Sequence, residues 1–197
     1  MSLSEQIKIE SRRAVDAGAA DLGSALRAAL SFLAKWPIGI SPGAVSDGAN
    51  TVGPFDVVIH TLKGDRDQPS PATIAADNCA AIIDAAPKLD IEVLRRCHAR
   101  IAAAKLLNKT PAPQVGDVPV NTSTLGVVYA QSSELPFEVL AGELERLNAS
   151  VTLDGWVDAL VVGSTGIFSY AVQFPGDTKL QGASLPPGRV RPPFPPS

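Results

Sequence analysis

Several things are scarce in this chain, and each scarcity removes a class of function. Positive charge is not in excess: the 197 residues carry a formal net charge of −3. A body of that sign does not hold nucleic acid by bulk phosphate neutralisation, so any such contact needs a local basic patch. Cysteine is limited to Cys79 and Cys97, and histidine to His60 and His98. Two cysteines make no disulfide framework, and no zinc-ligand spacing is present. No apolar run reaches the roughly 20 residues that a membrane helix needs. The opening "MSLSEQIKIESRR" lacks the apolar core of a signal peptide. The expectation is a cytoplasmic protein with no membrane partner. The Gly-x-Ser-x-Gly elbow, the phosphate-loop motif and the dinucleotide fingerprint are all missing. No internal repeat is evident.

What is present is enough apolar sequence, 45%, for one domain with a core. Periodicity divides it. Residues 4–34 read as helix, broken near Gly18, with Leu22, Leu26, Ala29, Leu30 and Leu33 on one face and Pro37 closing it. "PIGISPGAVSDGAN" predicts a turn-rich stretch with a short extended piece at 44–46 and a hairpin turn at Asp47-Gly48. "FDVVIHTL", 55–62, reads as a buried strand. "TIAAD" reads as a short strand and "CAAIID", 79–84, as a second buried one. Pro87 has no N–H for a ladder and is expected to end that strand. Asp90 is placed to cap a helix over 91–107 with the stripe Leu94, Cys97, Ile101 and Ala104.

A strand at 125–130 follows, then a helix at 136–148 with Phe137, Leu140, Ala141 and Leu144 inward, then a hairpin from "VDALVVG" and "GIFSYAVQF". The domain is expected to span 1–180, and 181–197 to form a disordered tail rich in proline. The fold class is therefore α/β (α+β): an N-terminal helix, an antiparallel meander, then strand–helix–strand in one mixed central sheet.

Two acids fall on neighbouring predicted strands. Asp56 lies in "GPFDVVIHT" and Asp84 in "AAIIDAAPKL", 28 residues apart. With the order of elements around them, they resemble the core of restriction-endonuclease-like nucleases, the PD-(D/E)XK superfamily. The resemblance is nearest to a bacterial family built on that core. There a glycine-containing stretch leads into an aspartate-bearing strand, and a strand ending in acid-x-lysine follows. The next helix ends near a lysine-leucine pair, which matches Lys105 and Leu106 here. It covers most of residues 20–172.

The resemblance implies a Mg²⁺-dependent nuclease with Asp56 and Asp84 as metal ligands, acting on nucleic acid. In that chemistry the metal polarises the scissile phosphate and activates a water. A lysine two residues past the second acid lies on the same strand face and supplies positive charge where negative charge builds. Here that position is Ala86, and the motif is degenerate. Lys88, on the same face one step further on, is the nearest substitute, and Lys63 a more distant one. Asp21 is the nearest match for an acid that the family carries on its first helix.

Two functions follow. The chain is expected to be a nuclease scaffold with impaired or lost catalysis, acting as a binding or interaction module. The alternative is a Mg²⁺-dependent nuclease using Asp56, Asp84 and Lys88. Plainer roles stand beside these. Asp56 and Asp84 are also placed to hydrogen-bond backbone where chains turn. His60 suits simple packing. Arg95, Arg96 and Arg100 suit either a nucleic-acid backbone or a solvated helix face, with Glu92 and Arg96 as an i,i+4 pair. His98 is expected on the helix surface, and the cysteines as small buried hydrophobes.

Overall fold

A computed structural model describes residues 22–31, 37–62, 73–110, 123–163, 165–174 and 177–184. Helix α1 spans Leu22–Leu30 and buries Ala25, Leu26 and Ala29. The strands are β1 (Ile38–Ser46), β2 (Thr51–Thr61), β3 (Thr73–Ala75) and β4 (Cys79–Leu89). Helix α2 (Ile91–Lys105), β5 (Leu125–Ser133), α3 (Phe137–Asn148), β6 (Ala159–Val162), β7 (Gly166–Phe174) and β8 (Asp177–Ser184) follow. All eight strands form one sheet in the order β3-β1-β2-β4-β5-β6-β7-β8. β4, β5 and β6 run parallel to one another, joined through α2 and α3, and β1, β2 and β4 form an antiparallel meander. β3 leaves that meander and pairs in parallel with β1 at the sheet edge.

The apolar stripes account for the packing. Leu94, Cys97, Ile101 and Ala104 of α2 and Leu140 and Leu144 of α3 are buried with Val58, Ile82, Val128 and Leu160 of the sheet in one core. Asp90 caps α2 as its sequence predicts, its carboxylate accepting from the Val93 N–H at 2.8 Å. Gly126 lets α2 press onto β5, because a Cβ there would meet Ile101 at 2.4 Å. Lys105, at the last turn of α2, turns inward and bonds both the Asp158 carboxylate and the Trp156 carbonyl at 2.6 Å. This ion pair ties the helix end to the segment before β6. His98 is buried too, not on the helix surface. It hydrogen-bonds Asn148, which also holds the Val157 backbone at both N–H and C=O.

Three of the boundaries that differ from the sequence expectation change the sheet most. β1 is nine residues long rather than three, because bulges on either side of Gly43 accommodate Pro42 and the glycines within a paired strand. β4 continues through Pro87 to Leu89. Its ladder with β2 ends at Ile83, so the missing Pro87 N–H deprives no partner there, while β5 pairs with Lys88 and Leu89 on the other side. Residues 181–184, expected to begin the tail, pair with β7 as the end of β8. The expectations for residues 4–21, Asp21 and Lys63, and for the tail beyond 184, lie outside the described residues. Among the described residues no helix is long and apolar enough to cross a membrane.

Candidate functional site

The site is built where β2 and β4 part. Their antiparallel ladder pairs Val58 with Ile82 and Val57 with Ile83, and then stops. The next step of that register sets Asp56 opposite Asp84. Opposed residues of an antiparallel pair share a face, here the face that carries Val58 and Ile82 towards α2. Beyond this point β2 bends away through Gly53 and Pro54. Gly53 has φ +139°, and a Cβ there would lie 2.8 Å from the Ala44 Cα, so only glycine fits. The opening is a pocket of about 450 Å³ lined by Gly53, Pro54, Asp56, Asp84, Ala86 and the α2 side chains Arg96, Cys97 and Arg100, among others.

The two acids have different surroundings. Asp56 is partly buried, and its Oδ2 accepts the Ala85 N–H at 2.8 Å, replacing the ladder bond that the diverging strands no longer make. Arg27 of α1 donates to the Asp56 carbonyl at 2.5 Å and holds the backbone from its other side. Asp84 has a side chain only 3% exposed. Its Oδ1 lies 3.4 Å from Arg100 Nη1, and its Oδ2 is buried with no hydrogen-bond partner. Burial raises the Asp84 pKa above the ordinary carboxylate value, with Arg100 and a hydrogen bond from the Cys97 thiol opposing the shift and Asp56 adding to it. The neighbouring Cys97 thiol is pushed up to about 12 by burial and then by the Asp84 charge, so it stays protonated and inert.

Arg100 is the residue whose role the sequence did not reveal. It was legible only as one of three arginines on a helix. Its position three residues after Cys97, at the edge of the buried stripe, is the signal that turns it toward the sheet. Its guanidinium meets Asp84 of β4, donates through Nη2 to the Pro54 carbonyl of β2, and lies 5.2 Å from the Phe55 ring centroid. It therefore bridges the two strands at their point of separation.

Other candidates are placed elsewhere. Ala86 lines the pocket and is 6% exposed, so the position that the resemblance gives to a lysine holds a buried methyl group. Lys88 is on β4 as its spacing predicts, but its Nζ pairs with Glu134 at 2.5 Å and its side chain is 58% exposed. It is not among the pocket residues. Arg95 pairs with Glu143 of α3 at 2.7 Å, whereas Arg96 lines the pocket and forms no ion pair with Glu92 among the described residues. His60 is packed against Gly39 and lies 3.4 Å from the Ser41 hydroxyl, away from the acids.

A divalent metal fits this arrangement poorly. Mg²⁺ binds near-octahedrally with oxygens at about 2.1 Å. Among the described residues no group of three or more His, Cys, Asp or Glu side chains is arranged around one point. Of the two carboxylates in the pocket, Asp56 already spends one oxygen on backbone and Asp84 already faces a guanidinium.

Comparison with known proteins agrees at the level of the fold. No protein-family model matches the chain, and no curated protein matches it. Solved structures do. The cAAA-bound form of NucC from E. coli MS115-1 superposes with a TM-score of 0.64 at 17% identity, over 92% of this chain and 80% of that one. The cAAA-bound form of NucC from P. aeruginosa ATCC27853 gives 0.65 at 18% identity, over 92% and 81%. The apo form of the E. coli protein gives 0.64 at 16%, over 93% and 85%. The eight-stranded mixed sheet, the acid-bearing fork and these superpositions together give the chain a restriction-endonuclease-like nuclease fold.

Proposed function

We propose that this chain is a nuclease-fold binding module that has lost phosphodiester hydrolysis and retains a docking pocket for a nucleic-acid backbone. One observation carries the reading. Ala86 stands at the lysine position as a buried methyl, and the nearest cation to Asp84 is an arginine already engaged by both strands. Charge that would stabilise a transition state is thus spent on the ground-state structure. Arg96, exposed at the pocket rim, supplies a cation suited to a phosphate oxygen.

The test is fluorescence anisotropy with single- and double-stranded DNA and RNA, beside a cleavage assay with Mg²⁺ or Mn²⁺. The expected result is salt-dependent binding, weakened in Arg96→Ala, with no cleavage. Absence of binding to all four probes would remove the reading.

A second reading is a Mg²⁺-dependent nuclease with Asp56 and Asp84 as ligands. The observation in its favour is the unpartnered Asp84 Oδ2, buried beside the pocket. The engagement of Lys88 with Glu134 counts against that residue's part in it. Cleavage that is present in the wild type and absent in Asp56→Ala would establish this reading over the first.

A further inference from the structure

Three features meet at the fork and are unexplained by a simple binding pocket. A carboxylate oxygen, Asp84 Oδ2, is buried without a partner. The other oxygen of the same group faces a permanent cation, Arg100, with the neutral Cys97 thiol as a weak donor beside the carboxylate. That cation is fixed from two further sides, by the Pro54 carbonyl and by the Phe55 ring.

A guanidinium cannot lose its proton in a protein, so its charge is a constant of the site. A metal bound to Asp84 at about 2.1 Å would lie only a few ångströms from it, and like charges at that distance repel strongly where one wall is dry. The carbonyl and carboxylate oxygens that Arg100 engages are the kinds of donor that a hard divalent cation uses. The guanidinium is also planar and directional, so it satisfies Pro54 O and Asp84 Oδ1 but leaves Oδ2 bare.

We propose that Arg100 is a tethered counter-cation that takes the electrostatic place of a divalent metal at the Asp56–Asp84 pair, so that the metal site of this chain is latent and is uncovered by removing Arg100. The proposal rests on the geometry of the fork, not on nucleic-acid binding, and it stands or falls separately from that reading.

The experiment is Mn²⁺ titration of the purified full chain, read by electron paramagnetic resonance of free Mn²⁺. The variants are Arg100→Met, Arg100→Gln and Arg100→Lys, and each of the first two combined with Asp84→Asn. Arg100→Gln keeps a donor for the Pro54 carbonyl and so preserves the α2–β2 contact if Arg100→Met proves poorly folded. Arg100→Met or Arg100→Gln is expected to bind Mn²⁺ at least ten times more tightly than the wild type. The gain is expected to vanish with Asp84→Asn and to be absent in Arg100→Lys, which retains the charge. Equal Mn²⁺ affinity in the wild type and in a folded Arg100→Gln protein would overturn the proposal. So would a gain that survives Asp84→Asn.

Discussion

The Asp56 carboxylate takes the Ala85 N–H at 2.8 Å, just past Val57 and Ile83, the last paired step of β2 and β4. A side chain thus closes a gap that the backbones have left open. Asp56→Ala would strand that N–H and is expected to cost about 1–2 kcal/mol of stability. Asp56→Asn, which keeps an acceptor, is expected to lose less than half of that. Urea denaturation of the three proteins measures both. Equal losses in the two variants would show that charge, and not the acceptor, is what the position needs.

Asp84 titrates in the opposite sense from an ordinary paired carboxylate. Its folded pKa is raised, chiefly by burial, from a normal value of 3.8. Above pH 3.8 the unfolded chain gives up this proton before the folded one does. The Asp84 contribution to stability therefore falls as pH rises through that value and the raised one, and the loss is complete above the raised one. Asp84→Asn is expected to raise Tm relative to wild type at pH 7 and to leave it nearly unchanged at pH 3.5. A Tm difference that does not depend on pH would contradict this.

Placing a lysine at position 86 is not expected to give catalysis by itself. Ala86→Lys puts a third cation, beside Arg96 and Arg100, in a pocket with two acids. Nicking of supercoiled plasmid in Mn²⁺ is expected in Ala86→Lys/Arg100→Met and absent in Ala86→Lys. Nicking by the single variant would mean that Arg100 does not obstruct the site.

The Lys105–Asp158 ion pair is expected to be among the largest single contributions to stability near α2. The lysine side chain is 2% exposed and the aspartate 35%. Breaking a fully buried pair costs about 3–5 kcal/mol, and partial exposure of Asp158 reduces this to about 2–3 kcal/mol for Lys105→Met. Chemical denaturation gives the value. A loss below about 1 kcal/mol would mean that the Lys105 stem, not its charge, holds the helix end.

His98 sets an acid-side slope. Burial lowers its pKa from 6.5, and the hydrogen bond to Asn148 opposes that shift. Below pH 6.5 the unfolded chain takes a proton that the folded one refuses, so stability falls as pH drops from 7 towards 5. His98→Gln is expected to flatten the Tm profile over that interval. An unchanged slope would assign it to other groups.

The sequence carried most of the fold because its strands and helices are regular where they are buried. The stripe of α2 is a one-face pattern, the β-branched run of β2 is buried on both faces at Val57 and Val58, and the core imposes both. What it concealed is irregular or at the sheet edge. β1 looked like a loop because Ser41, Pro42 and Gly43 read as turn residues until the bulges that house them are known. β8, "DTKLQGAS", is mostly polar and borders only β7, so no apolar alternation announces it.

The acids were legible along with the strands. The resemblance assigned Asp56 and Asp84 to adjacent strands, and the β2–β4 register then set them side by side. The cations were not. Lys88 finds its partner Glu134, and Arg100 its partners Pro54 and Asp84, across 46, 46 and 16 residues of chain. Nothing local to either residue encodes such distances.

The parting of β2 from β4 has one more consequence. The cavity exists because two backbones separate after Val57 and Ile83, not because any catalytic side chain holds them apart. A substitution within the fork, such as Ala86→Lys, changes its chemistry while the separation of the strands stays in place. The concavity is inherited from the topology, and its contents are free to change.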